Sequence, residues 1–186
     1  MIARKHLARI VFAAGVLASI ASTPVINRWQ LDASEGLVPQ VLDDTTPLNV
    51  RSLTATLTST EPLPLVSGNI AVHLQLRARD VTGVNAAQLE VELVSMQGAG
   101  SDRRPVLVMP GNLATVVLSV PALDHCLDTV ACTERFELRL RRESLPEDPT
   151  IEITGIIELE AFGDDVQTPP PGAVLALDVA DLGPLP

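Results

Sequence analysis

The stretch that decides the fold is NLATVVLSVPALDHCLDTVACTERFELRLRR, which covers residues 112–142. On both sides of its two cysteines, apolar side chains alternate with other residues, a period of two that is typical of a β-strand with one buried face. The inward positions of this pattern are Ala114, Val116, Leu118, Val120, Phe136, Leu138 and Leu140. The stretch therefore predicts two strands joined by a loop that the cysteines enclose.

The same alternation recurs elsewhere in the chain, with turn residues between the segments. It predicts five more strands, over residues 50–58, 70–79, 88–94, 106–109 and 151–162. The segment 88–94 also matches a helical stripe, and its β-branched Val91 and Val94 favour the strand. Gly155 interrupts the last segment and indicates a β-bulge.

Seven short strands separated by turn signals predict an all-β, antiparallel β-sandwich over residues 48–162. In strand number and spacing, this domain resembles immunoglobulin-like and fibronectin type III domains, without their core Trp and corner Tyr. The resemblance implies an architecture and no activity. Residues 22–47 are predicted to be a linker or leading segment, with Trp29 packed at the sandwich edge. Residues 163–186 are predicted to be a Pro-rich C-terminal segment with a candidate extra strand at 174–179.

The first 21 residues predict a secretory signal peptide. Basic residues precede an apolar, Ala-rich run at 10–20, and Ser19 and Ala21 are small residues at the positions that a signal peptidase recognises. An uncleaved anchor is less favoured, because Ser, Thr and Pro interrupt the run before it reaches the roughly 20 apolar residues of a spanning helix. We expect an exported protein, periplasmic or extracellular and bacterial.

The chain is acidic, with a formal net charge of −10, and aromatic residues make up only 2% of it. An acidic surface repels phosphate backbones and anionic lipids, so nucleic acids and membranes are not expected partners, whereas basic partners are favoured. The scarcity of aromatic faces disfavours sugar-stacking platforms and grooves for single-stranded nucleic acid.

Cys126 and Cys132 predict a disulfide, because an exported chain with an even number of cysteines is expected to be oxidised. Zinc held by these thiols and His125 would need a fourth ligand and would compete with that oxidation. His73 alternates outward on its strand and is expected to be a solvated surface residue. A Ser–His–Asp arrangement through Asp124 and His125 stays open, since triads form in space, but no catalytic residue is assigned and no enzyme is expected.

Acidic residues gather in the loops that are predicted at the two ends of the sandwich. The weak candidates for Ca²⁺ ligands at one end are Asp43, Asp44, Asp80 and Asp148. Carboxylate oxygens suit Ca²⁺, but no loop shows a regular series of ligand residues. Solvated loops that keep the protein soluble are therefore favoured, and no cofactor is expected.

Together, these observations favour a monomeric binding or structural module with an unknown protein partner. Two alternatives remain open. The first is a subunit of a bacterial surface assembly that adds its C-terminal strand to a neighbour, and the second is an uncharacterised enzyme.

We expect cleavage between Ala21 and Ser22, because the basic, apolar and small-residue regions follow one another in the order that signal peptidase requires. The intact mass of protein collected from the periplasm or the medium measures this directly. A product that retains residues 1–21 contradicts cleavage and indicates an anchor.

Overall fold

The computed structural model describes residues 28–43, 47–79, 86–143, 149–163 and 168–181. The predicted signal peptide and its cleavage site lie outside these residues. Within them the chain forms nine strands: β1 (Trp29–Leu42), β2 (Leu48–Thr58), β3 (Ser67–Ala78), β4 (Ala87–Ser95), β5 (Ser101–Val108), β6 (Leu113–Ala122), β7 (Ala131–Arg142), β8 (Ile151–Gly163) and β9 (Val174–Asp181). Among the described residues, no helix is long and apolar enough to cross a membrane.

The strands form two antiparallel sheets that enclose one core. The four-stranded sheet has the order β1-β8-β3-β6, and the five-stranded sheet has the order β5-β4-β7-β2-β9. Successive strands alternate between the two sheets, except at the β4–β5 hairpin. For the first eight strands this is the order of a jelly roll, an eight-stranded fold of two sheets, and β9 is added beside β2.

The predicted all-β antiparallel sandwich is confirmed, but the number and the order of strands differ from the immunoglobulin-like expectation. In an immunoglobulin domain the first two strands are neighbours in one sheet, whereas here β1 and β2 lie in different sheets. The alternation of residues shows which side chains face the core. It does not show which strands pair, and this is why strand order was not predictable from it.

Part of the segment predicted as a linker is instead the edge strand β1, which pairs with β8 along its length. The register shifts between Leu37 and Gln40, where β1 has two intervening residues and β8 has only Thr154. This bulge contains Pro39, which an edge strand tolerates because it has no N–H to donate to a ladder. The sequence predicts a bulge at Gly155 on β8, whereas the structure places the bulge on β1, the strand that pairs with β8. There it interrupts the alternation of inward and outward residues, and so β1 is not recognisable from its sequence.

Trp29 belongs to the core and not to the sandwich edge, since only 2% of its surface is exposed. Its indole packs against Gly163, where any Cβ would collide with the ring. Nearby, the Arg28 guanidinium lies 4.8 Å from the centre of the Phe162 ring, a cation–π contact. The first residue of β1 is therefore fixed against the last residues of β8.

Residues 112–142 fold as their alternation predicts. Its two halves are β6 and β7, and the five inward positions from Leu118 to Leu140 are buried, while Ala114 and Val116 pack partly buried against the core. At the turn before β6, Gly111 has φ 78° and the Asn112 N–H donates to the Met109 carbonyl at 3.1 Å. The segment 88–94 is a strand, as its β-branched residues predicted.

The predicted extra strand is β9, and it docks on its own sandwich. It pairs with β2 from Thr58↔Val174 to Arg51↔Asp181, and the partly buried side chains of Leu175, Leu177 and Val179 pack against the core. The approach to the strand is anchored as well, because Thr60 donates to the Pro171 carbonyl from its backbone N–H at 3.0 Å and from its hydroxyl at 2.7 Å.

Cutting the chain after Gln167 should destabilise the protein by roughly 3 kcal/mol, because three apolar side chains of β9 lose their partial burial. A cut after Asp181, which keeps β9, is the matched control and should melt like the full chain. Thermal melting measures stability, and light scattering should show a monomer in every case. Oligomers that form with the full chain and disappear on the cut after Gln167 would contradict the monomer and support the assembly alternative.

Candidate functional site

The loop between β6 and β7 carries the predicted disulfide, which the structure confirms. Cys126 and Cys132 are bonded, with a Cα–Cα distance of 5.7 Å. Both are buried, at 0% and 7% exposure. Because β6 and β7 belong to different sheets, this loop connects the two layers across one end of the sandwich.

The same loop is held by backbone hydrogen bonds to the connection between β2 and β3. Leu63 donates to the Thr129 carbonyl at 2.8 Å and accepts from the Asp128 N–H at 3.0 Å, while the Ser59 N–H donates to the Val130 carbonyl at 2.9 Å. Asp128 itself has a positive φ of 54°, so the loop turns sharply there. The loop is therefore fixed by the disulfide and by a second segment of the chain.

Glu134, on β7, is a fully buried carboxylate beside this loop. It accepts hydrogen bonds from the Ser95 hydroxyl at 2.8 Å and from the Leu123 N–H at 2.7 Å. A buried carboxyl group is tolerated only when such bonds replace those that it would make to water. Glu134 is not among the candidate residues predicted from the sequence, although the alternation Cys132, Glu134, Phe136 places an acid on the inward face of β7 and could have identified it.

His125 lies between the disulfide and this carboxylate, with its side chain 52% exposed. Its Nε2 is 3.6 Å from the Cys132 Sγ, and its Nδ1 is 3.9 Å from the Glu134 Oε2. The predicted neighbour Asp124 instead accepts a bond from the Gly68 N–H at 3.4 Å. The Ser95 hydroxyl bonds the carboxylate and not the imidazole, so these groups do not follow the nucleophile–base–orienter order of a triad.

Of the four calcium candidates, the structure describes Asp43 alone. The other three, Asp44, Asp80 and Asp148, lie outside the described residues. At the end of the sandwich where Asp43 follows β1, Arg51 and Arg142 are buried to 7% exposure.

The outer face of the four-stranded sheet carries a band of exposed apolar surface. His73 on β3 is paired with Val117 on β6 and with Ile156 on β8. We call these two apolar residues, together with the histidine between them, the apolar row. Val117 is 53% exposed and Ile156 is 50% exposed. The row borders a shallow groove of about 400 Å³ whose lining includes Gly155. An added Cβ at Gly155 would strike the His73 carbonyl.

Acidic side chains flank the apolar row on the β1 side. Asp32, Glu158 and Glu160 line a smaller hollow of about 260 Å³, and we call them the acidic rim. The His73 Nε2 lies 3.1 Å from the Glu158 Oε2, so the rim and the row are in contact. His73 is exposed, as predicted, but it is paired with a carboxylate.

The outer face of the five-stranded sheet has a different character. A depression of about 770 Å³ there is lined by arginines and glutamates over Leu48 and Val50. Arg139 contacts Glu137 at 2.7 Å and Glu92 at 3.4 Å, and the hydrogen bond that Arg139 donates to Glu137 is the main cause that raises the pKa of the Arg139 guanidinium. The charges of Arg139, Glu137 and Glu92 are therefore paired with one another.

Comparison with protein-family models and with curated protein sequences gives no match. Among solved structures, the chain is similar to the decameric BFDV capsid protein, at 9% identity and a TM-score of 0.33, covering 73% of this chain and 99% of that one. It is also similar to the Yersinia pseudotuberculosis-derived mitogen YPM, at 11% identity and a TM-score of 0.23, covering 78% and 96%. A third similarity is to the VP2 subviral particle of infectious bursal disease virus, at 9% identity and a TM-score of 0.34, covering 82% of this chain and 40% of that one. At these identities and TM-scores, the similarities assign neither a family nor a function to this chain.

Replacing Cys126 and Cys132 together with serine should lower the free energy of unfolding by about 2 kcal/mol, the chain-entropy value for so short a loop. The fold should persist, because Glu134 and the backbone bonds to Leu63 still hold the loop. Chemical denaturation followed by circular dichroism measures the change. Two free thiols in protein recovered from the periplasm or the medium would contradict the bond.

Proposed function

We propose that this protein is an exported binding module that holds a basic segment of a protein partner on the outer face of its four-stranded sheet. The observation that carries the proposal is the contact between the apolar row and the acidic rim. Apolar surface supplies non-directional affinity, and the adjacent carboxylates select and orient a partner of opposite charge.

The apolar row is more than a scatter of exposed residues. Single exposed apolar side chains are normal on protein surfaces, but Val117 and Ile156 stand in register on either side of His73. Leu113 extends the same face of β6 and is 56% exposed. Clustered apolar surface next to charge is typical of an interaction site.

The charges of this face determine the class of partner. The acidic rim and a net charge of −10 attract an arginine- or lysine-bearing segment and repel nucleic acid and anionic lipid. Since exposed charges are screened over about 10 Å at 0.1 M salt, this attraction weakens as salt is added. The ligand is thus a peptide segment with an apolar side chain beside basic ones.

The docking of β9 on β2 supports a monomeric module, because it covers a sheet edge that could otherwise accept a strand from a neighbour. The assembly alternative would use this same pairing between chains. The observation that favours the assembly alternative is that β9 is an edge strand of its sheet. An edge strand can be exchanged between two copies of a chain.

Selection from a phage-displayed library of random peptides tests the proposal. Residues 22–186 are immobilised at low salt, and enriched peptides are synthesised and titrated by fluorescence polarisation. We expect enriched peptides to carry arginine or lysine beside an apolar residue. We also expect Ile156→Asp to weaken their binding at least tenfold.

The matched control is Leu107→Asp, at an apolar position of β5 that is 59% exposed on the opposite outer face. It should leave binding unchanged, and melting curves verify that both variants fold. Absence of enrichment overturns the proposal. So do peptides that bind the Ile156→Asp variant as tightly as the wild type, or peptides whose binding is lost in the Leu107→Asp variant instead.

A further inference from the structure

We infer that reduction of the disulfide converts the loop between β6 and β7 into a Zn²⁺ site. His125, Cys126 and Cys132 each offer one ligand atom, and the three atoms lie within 4.8 Å of one another. This inference is independent of the proposed function, because it concerns the end of the sandwich and not its outer face.

The donor set suits zinc, and so does the spacing between the imidazole and one of the two sulfurs, which are bonded to each other until the disulfide is reduced. Thiolate sulfur and imidazole nitrogen bind Zn²⁺ at about 2.3 Å and 2.0–2.1 Å, which in a tetrahedral site places a sulfur and a nitrogen roughly 3.6 Å apart. The distance from the His125 Nε2 to the Cys132 Sγ is 3.6 Å. Three protein ligands leave a fourth position for water, so the site does not require a fourth protein ligand.

A second and independent observation is the carboxylate behind the imidazole. Histidines that bind metal through one ring nitrogen commonly donate the other N–H to a carboxylate, which fixes the tautomer and the orientation of the ring. Here the His125 Nδ1 lies 3.9 Å from the Glu134 Oε2. Glu134 is itself held by the Ser95 hydroxyl and the Leu123 N–H.

Access to the site is controlled by oxidation state. A dithiol reductant supplies two electrons and two protons to the Cys126–Cys132 bond, and it leaves as its own disulfide while two thiols form. Zn²⁺ then binds both sulfurs as thiolates, and two protons pass to solvent. In the oxidised form neither sulfur is a thiolate, so the site does not form. The backbone bonds to Leu63 keep both cysteines close together after reduction.

Cobalt titration tests the site, because tetrahedral Co²⁺ with thiolate ligands absorbs in the visible and near ultraviolet. Residues 22–186 are reduced with a phosphine under anaerobic conditions and titrated with Co²⁺, then with Zn²⁺. We expect one Co²⁺ per chain, with a thiolate charge-transfer band that Zn²⁺ abolishes. The oxidised protein should show no such band.

The variants separate this site from adventitious binding. His125→Ala should weaken Co²⁺ binding at least tenfold while retaining thiolate charge transfer, and Glu134→Gln should weaken it by about 10- to 100-fold. His73→Ala, on the outer face of the four-stranded sheet, is the control and should bind like the wild type. Should Glu134→Gln fail to fold, His125→Ala still decides the matter, since the His125 side chain is 52% exposed and its removal spares the core.

Three results would overturn the inference. The first is a reduced, folded protein that shows no charge-transfer band. The second is Co²⁺ binding that does not depend on the site. This would appear as equal affinity of the wild type and the His125→Ala variant, or as equal affinity of the oxidised and reduced forms. The third is a chain that unfolds on reduction and does not regain its circular dichroism spectrum when Zn²⁺ is added.

Discussion

The buried carboxylate of Glu134 is the interaction on which one whole end of the sandwich depends. It joins the last residue of β4, through the Ser95 hydroxyl, to the start of the loop that follows β6, through the Leu123 N–H. Leu123 has a positive φ of 63°, a conformation that costs free energy and persists only when its surroundings hold it. One side chain of β7 therefore fixes the corner at which the chain leaves one sheet and enters the other.

Other features of this end follow from the corner. With Leu123 fixed, Cys126 is placed where it meets Cys132, and His125 is placed between the disulfide and the carboxylate. Removal of the carboxylate would leave a buried hydroxyl and a buried N–H without their acceptor, which is more costly than the loss of an exposed bond. The stability of the corner and the geometry around His125 thus have a common origin.

The sequence predicted those features that depend on local alternation. The strands β6 and β7, the extra strand β9, the turn at Gly111 and the disulfide could all be recognised, because each is encoded within a few neighbouring residues. The strand β1 could not, because the bulge at Pro39 shifts its inward positions from one parity to the other. The same limit applies to the candidate surfaces. The apolar row exists only because β3 lies between β6 and β8, and alternation within single strands carries no information about such neighbours.

The jelly-roll order has a kinetic consequence. Trp29 is paired with Gly163, so the first described strand meets its partner only near the other end of the described chain. Structures dominated by such distant pairings fold slowly, because chain entropy is lost before contacts repay it. At 5–20 residues per second, a ribosome takes on the order of 10 to 30 s to reach β8, and until then β1 has no neighbour in its sheet. A nascent chain of this topology therefore cannot complete its four-stranded sheet until β8 has been synthesised.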